Sequence, residues 1–389
     1  MKRGGPSLLA WAEIDLGAIA HNVLQLRRIT QPAAVLMTAV KADGYGHGAV
    51  PTAKTALRYG AGFLGVANVD EAVALRENGI NAPILIFGYT FPERIGTLLQ
   101  YDLIQSVYSF EMARHFSQAA ISCGGKIKIH IKLDTGMGRV GILSLPEGRC
   151  DDGRYYRSVL NEIVSIVSLK GCAVEGVFTH FATADHWDKS YAEQQFGWFM
   201  NVVNGMQAEG IRPPILHAAN SAATMDMPNT HLDMVRPGIA VYGLYPSEHV
   251  TGNIVLKPAL TLKTRVIQVK DVFAGFSVSY GCTYKTPHPT KIATVPIGYA
   301  DGFGRVLSSY GHMMVNGQRA PVVGRVCMDM TMLDVGHIPD VAVEDEVVVI
   351  GSQGSGNVAA EEIAAKLGTI SYEVVTSIGR RVRRVYKDQ

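Results

Sequence analysis

The sequence predicts an α/β protein, a (β/α)8 barrel N-terminal domain with an all-β C-terminal domain, on three observations. Between residue 34 and about residue 238, eight Val- and Ile-rich runs alternate with stretches of helical period. Alternating β and α units imply a parallel sheet, and eight of them suggest closure into a barrel. No G-x-G-x-x-G follows any early run, which disfavours the doubly wound open sheet that is the structural alternative. Past residue 250 the texture changes to short β runs between Gly, Asn and Asp turns. The expected domains are 11–250 for the barrel and 251–389 for the mainly β domain.

The elements follow in order. Asp15 is placed to N-cap a first helix, "LGAIAHNVLQLRR". "AAVLMTAV" is a buried strand ending at Lys41, and "GFLGVAN" is the second. A helix capped by Asp70 and stopped by Gly79 comes next. "PILIFGY", "LIQSVYS", "KIKIHIKLD", "AVEGVFTHF", "PILHAAN" and "HLDMVRPG" complete the eight. "FEMARHFSQAAIS", "YYRSVLNEIVSIV" and "AEQQFGWFMNVVNGMQ" are helices between them. In the second domain "TLKTRVIQVKDV", "FSVSYGCTY", "TKIATVPIGYAD", "QRAPVVGRVCMDMTMLDV" and "EDEVVVIG" read as strands. One helix, "VAAEEIAAKLG", precedes a last strand.

Composition narrows the function classes. The 389 residues are 47% apolar and 18% charged, ordinary for a soluble globular protein. A net charge of +2 is too small to argue for nucleic acid or an acidic membrane surface. The arginines of "RRVRRV" (Arg380, Arg381, Arg383, Arg384) read as a solvated strand edge. Cys123, Cys150, Cys172, Cys282 and Cys327 are odd in number and form no CxxC, which favours a reducing cytoplasm and argues against structural zinc. The short apolar run near the start is broken by Glu13 and Asp15, and no run approaches the ~20 residues of a membrane span. A cytoplasmic protein is expected.

Active-site residues of a barrel sit at the C-terminal ends of its strands. Those ends carry Lys41 with Tyr45 and His47 beyond it, Lys132, Asp134 and Arg139, then His180, then Asn220 and Ser221, then Arg236 and Gly238. Donors and cations dominate, which suits an anionic ligand. Ser221 opens "SAATM", a helix start whose free N–H groups suit phosphate, and "RPGIA" follows at the usual phosphate corner of barrels. There is no G-x-x-x-x-G-K-[ST], so a nucleoside triphosphate is not expected. Burial and neighbouring cations depress a lysine pKa, and a deprotonated Lys41 amine is then available to form a Schiff base with a carbonyl. A plain loop-edge lysine is the alternative that spacing alone leaves open.

"AVKADGYGHG", "KLDTGMGRVG", "FTHFATAD", "HAANSAA", "MVRPGIAVYG", "VSYGCTY", "IGYADG" and "VGRVCMDM" resemble, in order, the successive motifs of the alanine racemases, pyridoxal-phosphate enzymes of the barrel-plus-β-domain fold. The resemblance implies interconversion of L- and D-alanine, with a cytoplasmic homodimer supplying D-alanine to the cell wall. It implies that Lys41 carries the cofactor and is the base for D-alanine, and that Tyr280, from the partner subunit, is the base for L-alanine. By the same resemblance Arg236 bonds the pyridine nitrogen and His180 flanks the ring. Tyr45, Asn220, Ser221, Gly238 and Ile239 belong to the cofactor site, and Arg139 and Met328 lie beside the substrate carboxylate. Lys132 stands where many relatives carry a carboxylated lysine; a strand-end ion pair with Asp134 is its plain alternative. Tyr299, Arg305 and Asp329 resemble residues of the site entrance and dimer contact. Relatives often end in "SYRVPR", and here "SIGRRVRR" puts Arg380 at the tyrosine that bonds the cofactor phosphate.

Other functions are weighed on the same residues. A metal-dependent barrel hydrolase with Lys132 as a bridge would want H-x-H at the end of strand one, where the chain has "KADGYGH". A non-catalytic carrier would not need the β domain with Tyr280. A decarboxylase of the same fold would pair the pyridine nitrogen with an acid, not Arg236. A serine or broad-spectrum racemase stays open, since a pocket separates one methylene by only about 1–3 kcal/mol.

Overall fold

A computed structural model describes residues 8–145, 154–250 and 253–387 of the chain. Contacts divide it into two units: Ile19–Gly44 with Ala49–Lys257, and Met1–Ala18 with Tyr45–Gly48 and Pro258–Gln389. The expected division was contiguous, at residue 250. The observed one is interrupted, because residues before Ala18 and a four-residue loop after Lys41 group with the β-rich unit. Cys150, one of the five cysteines, lies outside the described residues.

Within the barrel unit eight parallel strands run in the predicted sequence order. They are Val35–Ala39, Phe63–Val66, Ile84–Ile86, Ile104–Val107, Ile127–Asp134, Cys172–Phe178, Ile215–His217 and Met234–Val235. The last pairs with the first, Met234 opposite Val35. The seventh and eighth are joined by the Asp233 N–H to Leu216 O (3.0 Å) and Arg236 N–H to Ala219 O (2.9 Å) bonds, so the ring is completed there by single hydrogen bonds and not by a ladder. Met37, Phe63, Leu85, Ile104 and Met234 fill the inside. Ile84, Ile129, Ile163, Phe116 and Phe199 pack the strands against the surrounding helices. Burial on both faces is why the Val35–Ala39, Phe63–Val66 and Ile84–Ile86 strands read as nearly unbroken apolar runs.

Two local expectations were tested by capping geometry. The Asp15 carboxylate accepts from the Ala18 N–H (2.8 Å) at the start of the Leu16–Ile29 helix, as an N-cap does. The Val69–Glu77 helix is instead capped by Asn68, whose side chain accepts from the Glu71 N–H; Asp70 lies inside its first turn.

The β-rich unit is built on one sheet in the order Gln318–Pro321, His312–Val315, Glu346–Gln353, Leu260–Arg265, Ala10–Asp15, Arg383–Lys387. Ala10–Asp15 is antiparallel to Leu260–Arg265 and parallel to Arg383–Lys387. The chain's first strand therefore belongs to this sheet, and its buried Trp11 and Ile14 pack in it. A smaller sheet joins Gln268–Val272, Thr290–Val295 and Thr331–Asp334. Among the described residues two α-helices occur after Pro258, Ala360–Leu367 and Ser371–Thr376, where one was expected.

Candidate active site

The rim residues of the barrel unit converge, and the electrostatics show how closely. Lys41 follows the first strand directly. Burial and the Arg139 cation push its ammonium below the ordinary lysine range, while the Glu71 carboxylate pulls the other way. Lys132, on the fifth strand, is pushed down to about 8 by burial, Arg139, Arg236 and Lys41, against Asp134. Burial and the same cations hold His180 well below an ordinary imidazole, so it is neutral at pH 7. Lys41, Lys132, Arg139, His180 and Arg236 thus form one electropositive group.

Arg236 is its anchor. Its guanidinium donates to Thr179 O (2.8 Å), Ala218 O (3.0 Å) and His217 Nδ1 (3.0 Å), with His180 Nδ1 at 3.3 Å. Burial lowers it to about 9, which leaves it charged at neutral pH. A guanidinium has no acceptor. His217 Nδ1 therefore accepts, its Nε2–H donates to His130 Nδ1 (2.9 Å), and the proton of His130 lies on Nε2, which is buried without a partner. Phe178 stacks on His217 with ring centroids 4.7 Å apart, and its ring lies 5.4 Å from Arg236 and 5.7 Å from Lys132. Arg236 was expected at the rim; His130 carried no sequence signal, being one more alternate position on a buried strand.

Asp134 does not pair with Lys132. Its two oxygens accept from the backbone N–H groups of Gly136, Gly138 and Arg139 at 3.0–3.1 Å, folding the loop that presents Arg139. Asn220 N-caps Ser221–Asp226 through the Ala223 N–H. Ser221 Oγ accepts from the Gly238 N–H (2.8 Å), which leaves its own hydrogen to donate, and ties that corner to the short 3-10 turn starting at Ile239. First-turn N–H groups at Ser221 have no intrahelical acceptor.

The remaining candidates lie in the β-rich unit. Tyr45 is buried and its phenol is pushed up to about 12 by that burial. Its loop is stitched to the C-terminal segment: the Arg384 Nε–H donates to Gly46 O (2.9 Å), and the guanidinium also bonds Ile378, Gly379 and Val382 carbonyls at 2.7 Å. Gly46 is required here, with φ +82° and no room for a Cβ, which would sit 2.3 Å from Val375 O. Arg381 bridges Asp301 (2.6 Å) and Asp329 (2.7 Å). The arginine run is thus a strand edge as expected, with Arg380, Arg381 and Arg383 exposed, but Arg381 is ion-paired and Arg384 is half-buried in its hydrogen bonds. Tyr280 is 71% exposed and Met328 is 53% exposed. Tyr280 follows Ser279, whose φ of 66° and ψ of −174° lie in a region that suits glycine; the Ser279 hydroxyl donates to Arg325 O (2.7 Å). Sequence reasoning passed over Glu71, Ser279 and Arg384, since a helix-start glutamate, a turn serine and an arginine in a basic run are all unremarkable there.

The donor set fits pyridoxal phosphate. It offers a depressed lysine amine, a buried guanidinium, a neutral imidazole and a serine hydroxyl beside free backbone N–H groups, with the nearby Asp134 carboxylate committed to backbone. Among the described residues no three His, Cys, Asp or Glu side chains gather as a metal ion would need.

Residues 14–246 match the alanine racemase N-terminal domain model, and residues 259–386 match the C-terminal domain model. The chain belongs to the alanine racemase family. It is 54% identical to an alanine racemase of Desulfosudis oleivorans over 97% of this chain and 96% of that one. Among solved structures, the alanine racemase of Clostridium difficile 630 superposes with a TM-score of 0.90 at 39% identity, covering 98% and 97% of the two chains. A Bartonella henselae alanine racemase with covalently bound pyridoxal phosphate gives 0.84 at 26% identity, over 98% and 100%. Membership of this family replaces the barrel-hydrolase alternative. No helix of the described residues is long and apolar enough to cross a membrane.

Proposed function

We propose that this chain is a pyridoxal-phosphate-dependent alanine racemase that interconverts L- and D-alanine and supplies D-alanine for the cell wall. The observation that carries the reading is Lys41, a half-buried lysine at a barrel strand end with a depressed amine, amid the cations of a full-length family member. Pyridoxal phosphate, when bound, supplies an electron sink that acidifies the substrate α-proton. Lys41 holds the cofactor and moves the proton on one face of the substrate. Tyr280, from the partner subunit of a homodimer, moves it on the other, because one base reaches one face only.

Arg236 donates to the ring nitrogen and cannot give it a proton, since it stays charged near neutrality. His180 lies against the ring, and Tyr45, Asn220, Ser221, Gly238 and Ile239 hold the phosphate side. Arg380 stands where relatives use a tyrosine, so its charge replaces that contact. Arg139 and Met328 receive the substrate carboxylate. Lys132, whose amine is lowered to about 8, is the group to carry a carboxylate that orients Arg139. The enzyme is cytoplasmic in this reading.

The test is purified protein with pyridoxal phosphate and a panel of L-amino acids including serine, followed by circular dichroism. L-Alanine loses optical activity fastest. A protein that stays colourless with the cofactor and racemises nothing refutes the reading. The shared site is tested by mixing inactive Lys41→Ala and Tyr280→Phe chains. After subunit exchange about a quarter of the parent activity returns, because half the dimers are mixed and each has one intact site. No recovery after verified exchange refutes a partner-supplied base.

A further inference from the structure

Two peptide N–H groups from different segments of the barrel unit converge on one carboxylate. Glu71 lies in the first turn of the Val69–Glu77 helix, and Asn68-x-x-Glu71 has the spacing of a capping box. In that motif the glutamate reaches back to its own N-cap N–H. Here Oε2 accepts from the Ala67 N–H (2.8 Å), and Oε1 crosses to the Ala42 N–H (2.7 Å). Ala42 is the residue after Lys41.

The turn so held is unusual. Ala42 and Asp43 both adopt left-handed backbone, with φ of 52° and 51°, and Gly44 continues it at 61°. Left-handed runs of non-glycine residues are disfavoured by Cβ contacts with the next carbonyl. Two further bonds close the turn, Gly44 N–H to Val40 O (2.8 Å) and Ala49 N–H to the Asp43 carboxylate (2.9 Å). Fixing the Ala42 N–H fixes the Lys41–Ala42 peptide plane, and hence the direction in which the Lys41 side chain leaves the backbone.

We propose that Glu71 is a positioning residue for Lys41: its carboxylate clamps the left-handed turn that aims the lysine and supplies the counter-charge to its amine. This rests on reading Lys41 as the group that holds the cofactor. The charges in reach of the amine support it. Arg139 opposes the ammonium and Glu71 favours it, while Lys132 and His180 both feel the Lys41 charge in return. Asp134 acts on the Lys132 charge instead, and its oxygens accept from the backbone at Gly136, Gly138 and Arg139.

Full-length protein stripped of cofactor is titrated with pyridoxal phosphate by absorbance, across pH, for the parent, Glu71→Ala, Ala42→Gly and the double variant, with thermal midpoints alongside. Glu71→Ala weakens cofactor affinity about tenfold or more, as misplacement of a reacting group does. Ala42→Gly adopts the left-handed turn without a clamp, so the double variant recovers most of that affinity. Its pH midpoint for cofactor attachment stays below the parent's, because the carboxylate is still missing. Affinity within about twofold of the parent in Glu71→Ala, or a loss that glycine at 42 leaves untouched, overturns the proposal and leaves a helix cap. Glu71→Met, which likewise has no oxygen to accept from the Ala42 N–H, carries the same comparison if Glu71→Ala does not fold. Lys41→Ala is run beside them: if it still attaches cofactor, the reading of Lys41 fails, whichever way the Glu71 variants behave.

Discussion

Lys132→Met removes a buried cation and keeps most of the side-chain stem. Lys132 is 5% exposed and its ammonium is lowered from 10.5 to about 8, first by burial and then by Arg139, Arg236 and Lys41. At about 1.4 kcal/mol for each tenfold change in proton affinity, the folded protein holds that charge at a cost of about 3 kcal/mol. The sign follows from linkage. A lysine with a lowered folded value binds fewer protons folded than unfolded between pH 8 and 10.5, so stability rises with pH across that window. Below pH 8 the cost is present in full. Urea unfolding of cofactor-free protein, at matched concentration in CO2-free buffer, therefore finds Lys132→Met more stable than the parent by about 3 kcal/mol at pH 7. The gain fades between pH 8 and 10.5. Bicarbonate at pH 8 stabilises the parent alone, since carboxylation turns the cation into an anion facing Arg139 and Arg236. A Lys132→Met chain no more stable than the parent at pH 7 in CO2-free buffer, or a gain that does not vary with pH, refutes the reasoning.

Arg236→Met strands the Thr179 and Ala218 carbonyls, and at about 1–3 kcal/mol for each unsatisfied buried group it lowers stability by about 2–6 kcal/mol in urea melts. The same change raises the imidazole pKa of His180 and His217, read by NMR titration, because the Arg236 charge adds to the burial that depresses both. His130 is pushed down to about 3 by burial and then Arg236, so the folded chain refuses a proton that the unfolded chain takes below about pH 6.5. Stability then falls as pH drops from 6.5 towards 3, and His130→Phe makes that fall shallower by about 1.4 kcal/mol per pH unit. Ser279→Ala loses the bond to Arg325 O and keeps the strained backbone, costing about 1 kcal/mol. Ser279→Gly relaxes the backbone and is the more stable of the two in thermal melts, an order that a purely hydrogen-bonding serine would not give.

How much of this was legible in the sequence differs by element. The eight barrel strands were, because short Val- and Ile-rich runs alternating with helical periods are a local signal that needs no knowledge of neighbours. The Asp15 cap was, being a contact three residues long. Ala10–Asp15 was not read as a strand, because "AWAEID" shows only a short alternation and its partners, Leu260–Arg265 and Arg383–Lys387, are some 250 and 370 residues away. Asp70 was chosen over Asn68 as a cap because both residue types cap helices and the sequence cannot say which has the extended φ.

By itself the sequence determined the fold class and which strand ends would carry cations and donors, since both follow from residue type and local period. Tertiary structure decided what each of those side chains binds. Asp134 turned from Lys132 to three backbone N–H groups, Arg384 from solvent to the carbonyl of Gly46, and Glu71 from its N-cap N–H to those of Ala67 and Ala42. The left-handed turn after Lys41 belongs to the same class: nothing in Ala42 or Asp43 prefers it, and it exists because bonds from other parts of the chain outweigh its local strain. Periodicity is short-range and is written in the residues, whereas the choice among several chemically acceptable hydrogen-bond partners is settled only by which of them the folded chain brings within reach.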